Sequence, residues 1–298
     1  MNFIERIIKN QNGNSLFTES IGNPRNPAII LIMGAMNQGI FWYNSFCEYL
    51  STNNFFVIRF DHRDTGMSYV VDYKIDPYNL DDMTSDVVDI IETYNIKKAN
   101  IIGLSMGGYL CQLLGVNYSD KIISLSLIST TADHRPYMES TTGKISNKFD
   151  LPYPRKKYLD FIRKSKENPP ITDNDFFNNQ KEGWKVTFDE ISRNDFSKII
   201  KLIELSNHRA YNKYSTFNHA FAVMNSEDRL NIIKNIKLPT FIYHGDKDPC
   251  FPIEHGYKLN ELISGSIIEI IKDMGHMFSV TESKLLQKLI IDNLKKYN

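Results

Sequence analysis

A serine flanked by glycines is the strongest chemical signal in the sequence. Ser105 is the central residue of the run 103–107, Gly-Leu-Ser-Met-Gly, which follows an apolar stretch and precedes a helical pattern. A tight turn between a strand and a helix leaves no room for side chains beside the serine, so glycines are expected there. The turn exposes the serine hydroxyl as a nucleophile at the positive end of the helix dipole. The alternative is a small-residue turn that only packs a helix onto a strand.

A serine hydroxyl is a weak nucleophile at neutral pH and needs a general base. We predict that His276 is this base, because it lies in a loop between the last apolar run and the last helical segment. That loop would return to the edge of the sheet that carries Ser105. The remaining histidines lack this placement and are interpreted as surface, cap or strand-end residues: His62, His134, His208, His219, His244 and His255.

The base needs a carboxylate to orient it, and the sequence offers two. Asp246 and Asp248 both follow the apolar run 240–243. Asp248 lies further into the loop and precedes Pro249, whereas Asp246 is typical of a turn residue that bonds its own backbone. We therefore predict that Asp248 holds the imidazole of His276 in the correct tautomer.

Attack on an ester creates an oxyanion, which backbone N–H groups stabilise by about 3–4 kcal/mol each. Met106, the residue after the nucleophile, is predicted to supply one donor. Gly34 follows the apolar run 28–33 and lets the chain turn inward, which makes the N–H of Ala35 the second candidate. The alternative is that Gly34 merely ends a strand.

The elements around these residues predict an α/β fold. Short runs that are apolar nearly throughout alternate with helix-period segments, a pattern typical of a mostly parallel sheet covered by helices on both faces. The runs are 28–33, 55–60, 100–104, 122–128, 240–243 and 267–271. Two stretches, 3–9 and 16–20, flank Asn12-Gly13-Asn14 and predict an antiparallel hairpin at one edge.

Helices are predicted over 79–94 and 283–295, where apolar residues recur on one face. The alternation stops between about 132 and 237, where prolines and charged helical stretches such as 153–167 and 188–206 replace strand-like runs. We predict that residues 1–131 and 238–298 form the core domain. Residues 132–237, the cap segment, are predicted to form a helical cap over one edge of the sheet.

Composition excludes several classes of function. The 298 residues contain 35 basic and 35 acidic side chains, so no net field favours a nucleic acid partner. Cys47, Cys111 and Cys250 are too few and too scattered for a disulfide framework and are predicted to be buried thiols of a reducing compartment. Without a signal peptide or a long apolar run, the protein is expected to be soluble and cytoplasmic, with no membrane partner. No metal-ligand cluster or phosphate loop stands out, so no metal or cofactor is expected.

The motifs together resemble the α/β-hydrolase superfamily, in which serine, acid and histidine follow one another in this order along the chain. The run 59–68, Arg-Phe-Asp-His-Arg-Asp-Thr-Gly-Met-Ser, is similar to a loop of the aclacinomycin methylesterase group, as are the runs 31–34 and 103–107. The resemblance covers nearly the whole chain except the cap segment. Many superfamily members have histidine where this chain has Met33, but methylesterase-like members share the methionine.

This resemblance implies a cofactor-free serine carboxylic ester hydrolase with an α/β-hydrolase fold. It implies a bulky polyketide ester or a macrolide lactone as the small-molecule substrate, and thus an antibiotic-inactivating role. The charged residues of the 59–68 loop, Asp61, Arg63 and Asp64, are interpreted mainly as structural pins, with substrate contact as the alternative.

Substrate choice is expected where the cap segment meets the serine. Candidate pocket residues are Met36, Trp42, His134, Trp184 and Phe217, for which the alternative in each case is a core position. A cofactor-free haloperoxidase or perhydrolase, a general short-acyl carboxylesterase and a non-enzymatic ligand receptor are alternative functions. A haloalkane dehalogenase is disfavoured because it needs an aspartate in place of Ser105.

Overall fold

The computed structural model describes residues 2–188 and 190–297, so that Met1, Asp189 and Asn298 lie outside the described residues. Eight strands form one sheet in the order β1-β2-β4-β3-β5-β6-β7-β8. β2 is antiparallel to β1 and to β4, and all other neighbours are parallel. The strands are β1 (Ile4–Lys9), β2 (Ser15–Ile21), β3 (Ala28–Ile32), β4 (Phe56–Phe60), β5 (Ala99–Leu104), β6 (Ile122–Ile128), β7 (Thr240–Gly245) and β8 (Ile267–Ile271).

The central strands are buried on both faces. Every residue of β3, β4 and β5 is buried, which is why their sequences are continuous apolar runs without alternation. β8 lies at the edge, and Ile271 is its one buried residue. The predicted α/β architecture and the antiparallel hairpin of β1 and β2 are confirmed.

The described residues form ten α-helices. These are α1 (Asn44–Thr52), α2 (Leu80–Thr93), α3 (Met106–Asn117), α4 (Arg135–Thr141), α5 (Lys156–Glu167), α6 (Asp173–Thr187), α7 (Arg193–Arg209), α8 (Asn218–Met224), α9 (Glu254–Leu262) and α10 (Val280–Leu294). α2, α3 and α9 contribute to the core on one face of the sheet, and α1 and α10 to the core on the other.

Side-chain caps fix where the core helices begin. The side chain of Asn79 accepts hydrogen bonds from the N–H groups of Asp81 and Asp82 at the start of α2. Ser279 and Glu282 form the same reciprocal cap, so α10 begins three residues before the predicted Ser283. Both predicted core helices are confirmed.

The cap segment is helical among its described residues. It contains α4 to α8, and α5 confirms a helix within the predicted stretch 153–167. The stretch predicted at 188–206 is displaced, because Ser192 caps the N–H of Asp195 and α7 begins at Arg193. α6 was not predicted, and it buries only Phe176 and Trp184. The exact boundaries of the cap segment stay a prediction.

Cys47, Cys111 and Cys250 are free and buried, as predicted. None of the helices in the described ranges combines the length and apolar character needed to cross a bilayer.

Candidate active site

Ser105 occupies a strained turn between β5 and α3. Its φ of 56° and ψ of −117° lie outside the usual regions for a residue with a side chain, at a cost of about 1–3 kcal/mol. Backbone bonds hold this conformation: Ser105 N–H donates to Ile128 O at 2.9 Å, and Thr130 Oγ1 donates to Ser105 O at 2.8 Å. A Cβ on Gly103 would clash with Gly107 O, so the predicted need for glycine in this turn has a steric basis.

His276 and Asp248 are hydrogen-bonded to each other. His276 Nδ1 lies 2.9 Å from Asp248 Oδ2, and both side chains are buried. Asp248 Oδ1 accepts two further bonds, from the N–H groups of Cys250 at 2.7 Å and Phe251 at 2.9 Å. Burial raises the pKa of Asp248, but the charge and hydrogen bond of His276 and the other partners outweigh it, so the pKa lies below its usual value. Asp248 is therefore a carboxylate that can stabilise an imidazolium.

Asp246 has a different role from Asp248. Its Oδ1 accepts a hydrogen bond at 2.7 Å from the N–H of Asp273, in the loop that carries His276. The neighbouring Lys247 N–H donates to Met274 O at 3.1 Å. Asp246 thus joins the loop after β7 to the loop after β8, and among the described residues its carboxylate has no hydrogen bond to the imidazole of His276.

The candidate nucleophile, acid and base follow three strands of the parallel part of the sheet. Ser105 follows β5, Asp248 follows β7 and His276 follows β8, and these strands run parallel. Their carboxyl ends therefore meet at one edge of the sheet. The Nδ1–H of His276 donates to the carboxylate, which leaves the Nε2 lone pair available as a base. The ring of Phe251 lies edge-on to His276, with centroids 5.4 Å apart.

The loop after β3 lies against the nucleophile. A Cβ on Gly34 would come within 3.3 Å of Ser105 Cβ, so the peptide that joins Gly34 to Ala35 borders the serine. Met106 is the first residue of α3, and the first N–H groups of a helix have no acceptor within it. Both predicted donors, Ala35 and Met106, therefore belong to segments that flank Ser105.

The charged residues of the 59–68 loop are engaged inside the protein. Asp61 accepts hydrogen bonds from the N–H of Gly39 at 2.9 Å and pairs with Arg209 at 3.1 Å. Arg63 pairs with Asp86 at 2.8 Å. Asp64 accepts from Val71 N–H at 2.8 Å and from Tyr78 OH at 2.7 Å. These bonds support the structural interpretation of Asp61, Arg63 and Asp64.

The predicted substrate contacts fall into two groups. Met36 and Phe217 are exposed, at 37% and 42%, and remain candidates. Trp42 is wholly buried and packs on Phe46 and Phe278 at centroid distances of 5.3 and 5.6 Å, which favours the core position that was its alternative.

Trp184 and His134 are also buried, but less remote from the surface. Trp184 stacks on Phe41 at 4.6 Å. His134 borders a cavity of about 370 Å³ that also contacts Met224, and its Nδ1 lies 3.3 Å from Arg229. Burial, with the nearby Arg229 charge, lowers the pKa of His134 to about 3, so it is neutral.

One set of side chains in the described ranges has the donor atoms of a metal site. The ligand atoms of Asp248, Cys250 and His276 lie within 4.8 Å of one another. Burial raises the pKa of the Cys250 thiol well above its usual value, and a protonated thiol is a poor metal ligand. Since Asp248 and His276 already bond to each other, we assign no metal to this set.

Sequence reasoning missed two histidines at the site. His62 Nε2 lies 2.9 Å from Met33 O, and His219 Nδ1 lies 2.9 Å from Met36 N. Both bonds join residues far apart in the chain, and neither histidine belongs to a periodic pattern. His62 does lie inside the recognisable 59–68 motif, which was the one available signal.

The pattern of the α/β hydrolase fold family matches residues 27–283 of this chain. Among curated proteins, the chain is 25% identical over 265 residues to a protein named rhodomycin D methylesterase from Streptomyces sp. (strain C5), covering 88% of this chain and 89% of that one. It is 28% identical over 290 residues to an AB hydrolase superfamily protein of Bacillus subtilis (strain 168), covering 95% and 96%.

A solved structure of an esterase from Exiguobacterium antarcticum resembles the whole chain. The TM-score is 0.77 at 20% identity, with 98% of this chain and 100% of that chain covered. At this level of identity the likeness establishes the shared fold. The predicted fold class and the resemblance to the methylesterase group are confirmed.

Proposed function

The chain belongs to the α/β-hydrolase fold family and is a carboxylic ester hydrolase, and on that premise we propose that Ser105, His276 and Asp248 are its catalytic triad. The observation that supports this most is the 2.9 Å bond between His276 Nδ1 and Asp248 Oδ2 at the sheet edge that carries the strained Ser105 turn. Geometry of this kind, not sequence position, identifies a triad.

In the acylation step, Ser105 Oγ attacks the ester carbonyl carbon. His276 Nε2 takes the hydroxyl proton, and the carbonyl π electrons move onto oxygen to form the oxyanion. When the tetrahedral intermediate collapses, the bond to the alcohol oxygen breaks and His276 returns the proton to that oxygen. The alcohol leaves, and the acyl group remains esterified to Ser105.

Water then repeats these steps in place of the serine. His276 takes a proton from the water, hydroxide attacks the acyl carbon, and the Ser105 oxygen leaves with that proton. Asp248 stays ionised throughout and stabilises the imidazolium, consistent with its lowered pKa. The products are the carboxylic acid and the alcohol.

The N–H groups of Ala35 and Met106 are proposed to hold the oxyanion. Both belong to segments beside Ser105, one packed through Gly34 and the other at the start of α3. Donors fixed before the reaction need no reorganisation when charge develops on the oxygen. The dipole of α3 adds a further favourable field.

We propose that the substrate is a bulky polyketide-type ester, either a methyl ester or a macrolide lactone, and that its cleavage inactivates an antibiotic. The similarity to a rhodomycin D methylesterase over 88% of the chain supports this class. The exposed Met36 next to Ala35 and the exposed Phe217 of the cap segment are proposed to contact the apolar body of the ester.

The test is mass spectrometry of a panel of esters incubated with wild-type protein and with Ser105→Ala. The panel contains short acyl esters, polyketide methyl esters and large-ring macrolides. A lactone that is opened gains the mass of one water, whereas a methyl ester splits into acid and methanol. We expect turnover of a polyketide ester by wild type and a loss of about 10⁴-fold or more in Ser105→Ala.

Turnover of short acyl esters alone would contradict the substrate class but leave the triad in place. Equal turnover by wild type and Ser105→Ala would contradict the triad. A peracid product that forms only with added peroxide would replace hydrolysis by perhydrolysis.

A further inference from the structure

Two histidines hold the ends of the loop that borders the nucleophile. We call residues 33–36 the oxyanion loop. His62 Nε2 lies 2.9 Å from Met33 O at one end, and His219 Nδ1 lies 2.9 Å from Met36 N at the other. The two imidazole rings are perpendicular, with centroids 5.6 Å apart. Ala35, whose N–H is the proposed oxyanion donor, lies between the two attachment points.

The partners of His219 determine where its proton lies. Its Nε2 is 2.8 Å from Arg63 O, and a carbonyl oxygen can only accept, so Nε2 carries the hydrogen. The N–H of Met36 can only donate, so Nδ1 must offer its lone pair. His219 is wholly buried, and this burial is the main reason that its pKa is lowered to about 4. Both bonds require the neutral ring.

The conformation of Met36 depends on this support. Its φ is 66°, the left-handed region, which costs a residue with a side chain roughly 1–2 kcal/mol. Met36 is exposed, so its side chain has few packing contacts that offset this cost. The bond to His219 fixes the peptide between Ala35 and Met36, and through it the direction of the preceding Ala35 N–H.

We propose that His219 is a positioning residue for the oxyanion hole, holding the oxyanion loop so that the N–H of Ala35 points at the reacting oxygen. This inference rests on the proposed ester hydrolysis. His219 lies in α8, within the cap segment, so this cap helix supports one end of the loop while His62 of the core supports the other. The ring touches no substrate and acts through Met36.

Two substitutions separate the two nitrogens of His219. His219→Asn keeps an acceptor oxygen near the position of Nδ1 but does not reach Arg63 O. His219→Gln reaches Arg63 O but places no acceptor beside Met36 N–H. We expect kcat to fall about 10²-fold in His219→Gln with KM nearly unchanged. An oxyanion donor displaced by about 1 Å stabilises the transition state less well, whereas binding of the ground state does not depend on it. His219→Asn should restore most of this loss.

A boronic acid that forms a tetrahedral adduct with Ser105 reports on the oxyanion hole without turnover. Its affinity should fall in His219→Gln by about the same factor as kcat. Ser226→Ala is the matched control: Ser226 Oγ accepts from Leu80 N–H at 2.9 Å just beyond the C-terminal end of α8, whereas His219 lies at the N-terminal end. This variant should lose thermal stability but keep kcat and boronate affinity.

The outcomes distinguish this inference from the proposed function. If wild type turns over esters, Ser105→Ala does not, and His219→Gln matches wild type in kcat, the positioning role is wrong while the triad stands. If His219→Asn and His219→Gln lose activity equally, the positioning role is wrong and the imidazole ring contributes only by packing in the core. Imidazole ¹⁵N shifts give a test independent of activity: a protonated Nδ1, or a His219 that titrates near pH 6.5, would overturn the proposal.

Discussion

The sheet region, which we define as residues 2–131 and 238–297, and the cap segment differ in how much apolar surface their helices bury. α3 in the sheet region is buried from Met106 to Gly115, whereas α5 in the cap segment has no fully buried residue. Apolar burial at about 25 cal/mol per Å² therefore stabilises the sheet region far more than the cap segment. The cap segment joins the two cores of the sheet region through a few apolar residues, such as Trp184, Ile199 and Val223, and also makes polar contacts with that region.

Some polar contacts of the cap segment fall on the loops that carry the candidate catalytic residues. Arg155 Nη2 donates to Asp246 O at 2.9 Å in the loop of the acid. Thr187 O accepts from the N–H of His276 at 2.7 Å in the loop of the base. His219 holds the oxyanion loop. The sheet region therefore buries most of the apolar surface, whereas the cap segment adds contacts that fix the geometry of loops that the sheet region supports from one side.

The largest expected effect distinguishes two acids of one loop in the sheet region. Asp248→Asn should lower kcat about 10⁴-fold. The amide places an N–H donor beside Nδ1 of the imidazole, so the imidazole takes the wrong tautomer and cannot act as the base. Asp246→Asn keeps the oxygen that accepts from Asp273 N–H and should retain activity. Steady-state kinetics on any turned-over ester measures both. Equal losses in the two variants would remove the distinction between a catalytic and a loop-joining carboxylate.

The next effect tests the difference in packing. Leu110→Ala in α3 removes a wholly buried side chain and should lower the free energy of unfolding by about 2–5 kcal/mol. Ile162→Ala in α5 removes a half-buried side chain and should cost about 1 kcal/mol. Urea denaturation followed by circular dichroism measures both. A cost for Ile162→Ala as large as that for Leu110→Ala would show that the cap segment packs as tightly as the sheet region.

This difference also explains what the sequence could predict. β3 and β5 were predicted because strands buried on both faces are continuous apolar runs. The turn at Ser105 was predicted because sterics allow only glycine at Gly103 and Gly107. In α6, only Phe176 and Trp184 are buried, too few for a clear apolar period. Secondary structure can therefore be predicted from the sequence where burial is continuous, and less well where only scattered residues are buried.

The site was predicted only as far as its signals were local. Asp248 and His276 each follow a strand, and their contact follows from the parallel sheet. The bond from Met36 to His219 joins a loop of the sheet region to a helix far along the chain. No rule of spacing links the two, because the meeting point depends on how α8 packs. Trp42 was ambiguous for the same reason, since its residue type suits both a core and a pocket and only its complete burial favours the core.

A smaller effect compares one glycine in each region. Gly66 in the sheet region and Gly143 in the cap segment both have positive φ, at 55° and 80°. A Cβ on Gly66 would clash with the carboxylate of Asp61, which Gly39, Met67 and Arg209 hold in place, whereas a Cβ on Gly143 meets nothing within 4 Å.

Gly66→Ala should therefore lower the free energy of unfolding by about 3 kcal/mol, from backbone strain and overpacking together. Gly143→Ala should cost about 1 kcal/mol, from strain alone. Thermal unfolding of the two variants and wild type measures the difference. Equal costs would mean that the Asp61 carboxylate moves aside freely and that the 59–68 loop is not pinned by it.

The last effect depends on pH and concerns a histidine at the junction of the two regions. His255 lies in α9. Its Nε2 is 2.9 Å from Pro152 O of the cap segment, and its Nδ1 is 2.7 Å from Thr131 Oγ1. Burial lowers its pKa to about 4. Below pH 6.5 the unfolded chain binds a proton at this residue that the folded chain does not. The stability that it contributes is therefore complete above pH 6.5 and declines as the pH falls toward 4.

His255→Gln keeps a donor for Pro152 O but binds no proton, so it removes this pH dependence. Between pH 6 and 4.5, the free energy of unfolding of wild type should fall more steeply than that of His255→Gln, by about 1.4 kcal/mol per pH unit. Other buried histidines with lowered pKa values, such as His62 and His219, contribute equally to both proteins and cancel in the difference. Parallel stability curves for the two proteins would mean that His255 takes up its proton in the folded state, and that the junction with Pro152 opens to water before the sheet region unfolds.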